Sequence, residues 1–376
     1  MNAGRDGRTK LLSLELGRFM AAAMVMLSHV APYVNAHAAP GARPVFGNMM
    51  FPGPLGVQYF FVLSGFVMAS THHADFGKIS SVPKFWWRRA CRIYPAYWLA
   101  LCIPAYYLFG AMTPRLTLQL VTLSPWHDLE YIPAAWTLRY EMAFYIMFGL
   151  CMLPYVGRPV LALWVAATVW HCFWRLGFWL LGPVLSPRHI LPVYNFIGTH
   201  GGLFVAFALF YFFTGLAAGC AYVKCRFGRK AWGGVLAGGL VLLALLLPHE
   251  QWGVTYGPSP AFALRMACVL AVAMLGLAGL ERAGGLRLGR WAGWLGAISY
   301  PLYIFHEPAL LVITNALHPG RYQGLGLYLL LAAITAAILA LAALVTFFYD
   351  QPIQRLLRRA GRGKGAAARL NPLPGA

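Results

Sequence analysis

The chain has 376 residues, of which 60% are hydrophobic and only 11% are charged. An ordinary soluble domain carries about 25% charged residues, so this composition excludes a soluble enzyme and a disordered chain. The net charge of +20 arises as much from the scarcity of Asp and Glu, 10 in all, as from the 30 Lys and Arg. This balance argues against a nucleic-acid-binding protein and favours a membrane protein whose Lys and Arg mark the cytoplasmic side.

Stretches of about 20 mainly apolar residues, long enough to cross a bilayer as a helix, recur along the chain. They predict an all-α polytopic membrane protein with about ten transmembrane helices. A further segment, 177–200, contains prolines and polar residues and is predicted as a loop or as a re-entrant or interfacial helix. The predicted spans are 11–31, 54–72, 94–111, 134–154, 159–176, 201–222, 232–248, 261–280, 292–315 and 325–348.

The positive charges predict the orientation. With the N-terminus inside, 22 of the 30 Lys and Arg fall on cytoplasmic stretches and 5 on outer ones, so both termini are expected in the cytoplasm. We predict a cytoplasmic N-terminus over 1–10, a membrane domain over 11–355 and a disordered basic tail over 356–376. The alternative, a cleaved signal peptide ending near Ala36, is disfavoured because charged residues interrupt its apolar stretch.

The first predicted span contains two polar side chains that are costly inside a bilayer, Arg18 and His29. They are eleven residues apart, close to three helical turns, so they share a helix face about 16 Å apart along its axis. We expect Arg18 nearer the cytoplasm and His29 nearer the outer leaflet. The structural alternatives are pairing of Arg18 with Glu15 or snorkelling, and an interfacial position for His29.

Glu141 lies about 10 Å below the outer end of the fourth predicted span, a depth that approaches that of His29 if the two helices are neighbours. A carboxylate at that place holds the Nδ1 proton of an imidazole and leaves Nε2 as a base. A structural ion pair of Glu141 with Arg139 or Arg265 is the alternative, and spacing alone leaves both open.

The first cytoplasmic connection, Phe85 to Pro95, is dense in arginine and aromatic residues. Arg89 and Arg92, three residues apart, can share a helix face and present two guanidinium groups to phosphates, with Arg88 beside them. Positive-inside anchoring with an aromatic belt is the alternative, and it explains one or two arginines better than the whole group.

The ninth predicted span places Tyr300, Tyr303 and Glu307 on one face, next to His306. Such a stripe lines a polar cavity or simply packs against a neighbour. The seven cysteines show no Cys-x-x-Cys spacing, so we expect them to be packing residues and predict no disulfide and no metal site.

Taken in order, these strings resemble the membrane acyltransferase-3 family over residues 11 to about 355. The chain departs from the family pattern in small ways: Thr137 replaces the usual Ser, and Gln351 stands where an acid commonly precedes Pro352. The matching strings are Glu15-Leu16-Gly17-Arg18 with His29, Gly56 to Phe66, Phe85 to Trp98, Trp136 to Tyr145, and Gly296 to His306.

The resemblance implies roles for individual residues. Arg18 and His29 match the family's Arg-x10-His pair, Arg89 and Arg92 its Arg-x-x-Arg, and Glu141 the acid of its Trp-Ser-Leu-x-x-Glu. We therefore expect three groups: catalytic His29, Glu141 and Arg18; acyl-CoA-binding Arg88, Arg89 and Arg92; and substrate-binding Ser64, Tyr300 and His306.

The resemblance also implies the reaction, transfer of an acyl group, most often acetyl, from cytoplasmic acyl-CoA to a hydroxyl of an envelope or exported glycan at the bacterial inner membrane. The expected partners are acyl-CoA, the acceptor and membrane lipid, without nucleic acid or a permanently bound cofactor. Direct transfer and an acyl-His intermediate both remain open. A transporter or flippase and a non-catalytic scaffold are the alternatives, although the two inverted halves typical of transporters are not evident in the sequence.

Overall fold

A computed structural model describes residues 11–36, 38–48, 51–107, 114–124, 131–181, 203–249, 260–317 and 322–360. Within these ranges the chain is helical and contains no strand. Among the 3₁₀ turns, Pro133–Ala135 directly precedes α5, and a π-helical turn, Val345–Asp350, joins α11 to α12. The helices are α1 Leu12–Ala36, α2 Gly53–His72, α3 Ser81–Tyr107, α4 Pro114–Val121, α5 Trp136–Cys151, α6 Gly157–Leu181, α7 Ala208–Lys224, α8 Arg229–Leu246, α9 Pro260–Arg282, α10 Arg290–Leu317, α11 Leu325–Leu344 and α12 Gln351–Ala360.

The predicted all-α membrane architecture is confirmed. In the described part of the chain, six helices are long and apolar enough to cross a membrane, and α7 is a shorter apolar helix. The total of ten crossings and the inward orientation of the termini stay predictions. The six are Leu12–Ala36, Gly53–Asp75, Arg229–Leu246, Ala261–Arg282, Arg290–Ile313 and Leu325–Arg359.

The sequence predicts a loop for the arginine-rich segment before the third predicted span. In the structure this segment is the first half of α3. No glycine interrupts the helix, and Pro83 lies in its first turn, where a missing N–H costs nothing. Pro95 lies inside the helix without ending it. As a result Arg89 and Arg92 are one helical turn apart, which confirms that they share a face.

Some segments of the chain differ from the expected boundaries, and others lie outside the described residues. Residues 356–360, predicted as disordered tail, belong to α12. Residues 177–181 are the end of α6. The predicted cytoplasmic N-terminus 1–10, the rest of the tail from 361 onward, and 182–200 lie outside the described residues.

Helices α2 and α7 pack with their backbones nearly touching. A Cβ atom on Gly65 would lie 2.0 Å from the carbonyl oxygen of Phe212, and one on Gly215 would lie 2.0 Å from that of Val62. Gly215 and Gly219 form a small-x-x-x-small pair, the spacing that permits close helix packing in membranes. Glycine is therefore required at this contact, because any side chain would push the helices apart.

Helix α1 packs against both α2 and α10. Its first turn is capped by Glu281 of α9, whose Oε1 accepts from the N–H of Leu12 at 2.8 Å and whose Oε2 accepts from that of Ser13 at 2.9 Å. A carboxylate at a helix N-terminus satisfies free N–H groups and the helix dipole together. These contacts fix the register of α1, which holds Arg18 and His29.

Candidate active site

A cavity of about 870 Å³ opens between α1, α2, α3, α5 and α10 and is rich in positive charge. Arg282 is engaged with the backbone, because its guanidinium donates to the carbonyl oxygens of Tyr222 and Cys225. The other arginines outnumber the two glutamates, so the cavity suits an anionic ligand. Its charged lining comprises Arg18, Arg89, Arg92, Arg226, Arg282, Arg358, Glu15 and Glu141.

Arg89 is held in this cavity by a chain of polar contacts. Its Nη2 lies 3.4 Å from Nε2 of His72, and Nδ1 of the same ring lies 2.8 Å from Oδ2 of Asp75. Because a carboxylate accepts, His72 donates from Nδ1 and receives the arginine proton on Nε2. The guanidinium also lies over the rings of Phe85 and Tyr145, at 5.3 and 5.1 Å from their centroids. Arg89 is therefore fixed in place before any ligand arrives.

Glu141 lies in the same cavity, where the hydroxyl of Tyr145 donates to its Oε1. The expected pairing of Glu141 with His29 is wrong in this structure: among the described residues, Glu141 contacts Tyr145 and not the imidazole. The reason is that Glu141 shares Tyr145 with Arg89 of α3, whereas His29 makes polar contacts with His306 and Glu307 of α10. Its catalytic role stays a prediction.

A second cavity, of about 250 Å³, adjoins the first and contains His29. Its lining is mostly apolar and aromatic, including Trp136 and Tyr140. Val57, Phe61 and Tyr303 line both cavities and so form the wall between them. An arginine-lined chamber and a histidine-containing chamber thus meet at a thin partition.

His29 and His306 face each other across the contact between α1 and α10. Nδ1 of His29 lies 2.8 Å from Nε2 of His306, and Nδ1 of His306 lies 2.6 Å from the carbonyl oxygen of Tyr303. The side chain of His29 is 42% exposed, whereas His306 is fully buried. Of the two cavities, His29 lines the smaller one and His306 lines neither.

Glu307 completes this cluster and is the residue that sequence reasoning did not assign to the site. Its Oε1 lies 3.9 Å from Nδ1 of His29, and its Oε2 accepts the backbone N–H of Ala134 at 2.5 Å. Thr137 and Tyr303 share a hydroxyl hydrogen bond of 2.7 Å beside it. The signal in the sequence was an acid inside an apolar span, but the partner of that acid could not be deduced.

The same three side chains are close enough to share a cation. In the described part of the chain, the ligand atoms of His29, His306 and Glu307 all lie within 4.8 Å of one another. Two histidines and a glutamate are a known set of protein ligands for Zn²⁺. A metal site was not predicted from the sequence.

The other expected site residues fall in different places. Arg18 lines the large cavity and pairs with Glu15 at 3.5 Å, as the structural alternative proposed. Ser64, Arg92 and Tyr300 also line it, although the Tyr300 hydroxyl donates to the carbonyl oxygen of Ile93. Arg88 is exposed and lies outside the lining, and His306 lies behind His29 rather than on a cavity wall.

Comparison with known proteins identifies the relatives of this chain. A family model described as an acyltransferase domain matches residues 11–347. The exopolysaccharide production protein ExoZ of Rhizobium meliloti is 28% identical over 350 residues, which cover 86% of this chain and 95% of that protein. Acyltransferase MdmB of Streptomyces mycarofaciens is 30% identical over 173 residues, 42% of this chain and 43% of that protein. No solved structure matches significantly.

The family match covers nearly the whole membrane domain. It includes every cavity-lining residue to which the resemblance had given a role. The strings around Arg18, Ser64, Arg89, Glu141 and His306 all fall inside it. The chain therefore belongs to the acyltransferase-3 family and is a multi-pass membrane acyltransferase.

Proposed function

We propose that this protein transfers an acetyl group from cytoplasmic acetyl-CoA to a hydroxyl of an envelope or exported glycan at the bacterial inner membrane. The observation that carries the proposal is the pair of adjoining cavities, one lined by arginines and the other containing His29, with Val57, Phe61 and Tyr303 between them. A polyanionic donor suits the first of these chambers and a neutral acceptor the second.

The large cavity suits the donor. CoA carries phosphates, which Arg89 and Arg92 can bind through forked hydrogen bonds. The pantetheine arm is long and thin, and Arg18 lies about 16 Å along α1 from His29, so an extended arm brings the thioester toward the wall. The positive-inside distribution of Lys and Arg supports an entrance on the cytoplasmic side, where acyl-CoA is made.

The small cavity suits the reaction. His29 takes the proton of the acceptor hydroxyl as its oxygen attacks the acyl carbon, the carbon–sulfur bond breaks, and the proton passes to the leaving thiolate. In the variant with a covalent intermediate, His29 itself receives the acyl group first. Both routes need one free imidazole nitrogen directed into the cavity, which only a properly oriented His29 supplies.

The acceptor class is supported by a relative whose name assigns it to exopolysaccharide production. The aromatic side chains around His29 fit a sugar ring, because ring C–H groups pack against aromatic faces. We therefore place the glycan hydroxyl in the small cavity.

The test uses the full-length protein in membrane vesicles with radiolabelled acetyl-CoA and an envelope glycan fraction. We expect CoA release together with label in the glycan, and we expect His29→Ala to reduce both by about 10³-fold or more, since general acid–base catalysis contributes about 10² to 10⁴. His171→Ala is the control, because His171 is a buried histidine of α6 outside both cavities. Normal turnover in His29→Ala would refute the role of His29, and no turnover with any acyl-CoA would favour a transporter.

A further inference from the structure

The contacts of His306 determine where its protons lie. Its Nδ1 is 2.6 Å from the carbonyl oxygen of Tyr303, and a carbonyl can only accept a hydrogen bond. Nδ1 of His306 therefore carries a proton. The ring is fully buried, and an imidazolium would be costly there, so the ring is neutral and Nε2 presents a lone pair.

The same reasoning fixes His29. Its Nδ1 lies 2.8 Å from the lone pair on Nε2 of His306, so Nδ1 of His29 must donate. A neutral His29 then has its lone pair on Nε2. That is the nitrogen left to act as a base in the small cavity, where His29 is part of the lining and His306 is not.

Glu307 adds the charge that His306 lacks. Its Oε1 lies 3.9 Å from Nδ1 of His29, close enough to stabilise the imidazolium that forms when Nε2 takes a proton. Its Oε2 is anchored by the N–H of Ala134 at 2.5 Å, so the carboxylate is held in position. The titratable groups near His29 are then His306, Glu307 and Tyr303 from α10, Tyr140 from α5 and Tyr211 from α7.

We propose that His306 is a positioning residue that fixes the tautomer of His29 with Nε2 free, and that Glu307 stabilises the imidazolium form of His29 during transfer. In this arrangement neutral His306 accepts the hydrogen bond of His29 and so orients the base. The carboxylate of Glu307, which is held separately by the N–H of Ala134, supplies the negative charge. This inference rests on the proposed function of His29 as the base. It gives α10 a part in the reaction although His306 lines neither of the two cavities.

The first readout does not depend on activity. Protein labelled with ¹⁵N-histidine and reconstituted in lipid is studied by solid-state NMR, and the His29 signals are assigned by their loss in His29→Ala. We expect the wild-type His29 to carry its proton on Nδ1. His306→Leu, which removes the acceptor, should move the proton to Nε2 or give a mixture, and His306→Gln should restore Nδ1 protonation because its amide oxygen reaches the place of Nε2.

Kinetics supply the second readout. We expect His306→Leu to lower kcat by about 100-fold or more with KM for acetyl-CoA little changed, and His306→Gln to recover most of the loss. Glu307→Gln keeps an oxygen for the Ala134 N–H but lacks the charge, so it should lower kcat without changing the His29 tautomer.

Two results would overturn the inference while leaving the proposed function intact. One is that His29 is essential, yet the His306→Leu variant keeps both the wild-type tautomer of His29 and the wild-type kcat. The other is loss of activity on treatment with EDTA and recovery with Zn²⁺, which would make His29, His306 and Glu307 a metal site instead. A dispensable His29, by contrast, would refute the proposed function itself.

Discussion

At the scale of single residues, the structure separates charged groups that the sequence shows together. Arg18 has a partner in Glu15 and Arg282 is bound to backbone carbonyls, so both are largely satisfied by the protein. Arg89 is oriented by His72 and Asp75 and still lines the cavity. Buried charges that are held in place but directed at open space are the ones suited to binding an anion.

The donor-binding role of the arginines is tested by Arg89→Gln and Arg92→Gln. Each should raise KM for acetyl-CoA by about 10- to 100-fold, because a hydrogen bond to a charged group contributes about 1.5–3 kcal/mol. We expect kcat to fall much less, since neither residue lines the chamber of His29.

Steady-state kinetics with varied acetyl-CoA measures this effect. Arg358→Gln and Arg359→Gln form a matched pair of neighbours on α12, of which only Arg358 lines the cavity. Arg359→Gln should behave as wild type, and a KM that rises equally in all four variants would show a general effect of charge rather than binding in the cavity.

At the scale of helices, two kinds of contact hold the site. Glycines let α2 approach α7 until backbones touch, and Glu281 caps α1 from α9. The site needs both, because α2 supplies Val57, Phe61 and Ser64 to the cavity walls while α1 supplies Arg18 and His29. Lipid is as apolar as a leucine side chain, so close packing rather than apolar burial stabilises such helix pairs.

The contact between α2 and α7 is tested by Gly215→Ala. The added Cβ would lie 2.0 Å from the carbonyl oxygen of Val62, so we expect a loss of about 1–3 kcal/mol in stability from overpacking and a lower melting temperature in detergent.

Gly238→Ala in α8 is the matched control, because a Cβ there meets nothing within 4 Å. Alanine is also the better helix former by about 1 kcal/mol, so this variant should melt at the same temperature or higher. Equal melting temperatures for Gly215→Ala and the wild type would contradict the close packing.

At the scale of the whole molecule, the net charge of +20 is mainly a matter of orientation. Most Lys and Arg fall on the side predicted as cytoplasmic, as expected for a polytopic membrane protein. A smaller group of arginines also lines the large cavity. In the predicted orientation, this bias puts the arginines of the large cavity on the side where the proposed donor, acyl-CoA, is made.

The orientation is tested with single cysteines introduced into a cysteine-free protein. Arg43→Cys lies between α1 and α2, on the predicted outer side, and Tyr155→Cys lies between α5 and α6, on the predicted inner side; both positions are exposed. A membrane-impermeant maleimide added from the outer side of the sealed membrane should label the first, and should label the second only after the membrane is opened with detergent. The reverse pattern would invert the topology.

Much of this molecule could be predicted from the sequence because hydrophobic length and charge are local properties. The membrane class and the positions of most helices followed from apolar stretches, and Arg18 and His29 from the cost of charge in lipid. Arg89 and Arg92 followed from the density of arginine beside aromatic residues. The extension of α3 through the arginine-rich segment did not, because flanking charge was interpreted as a loop.

Only the tertiary structure decided which side chains meet. The sequence suggested Glu141 as the partner of His29, whereas the fold places Glu141 beside Tyr145 and brings His306 and Glu307, 277 and 278 positions along the chain, to His29. The physical reason is that spacing along a chain specifies the face and depth of a residue on its own helix, but not which helix packs against that face. That choice depends on close contacts such as those of Gly56 on Ala21 and Glu281 on the start of α1, which are properties of the packed molecule.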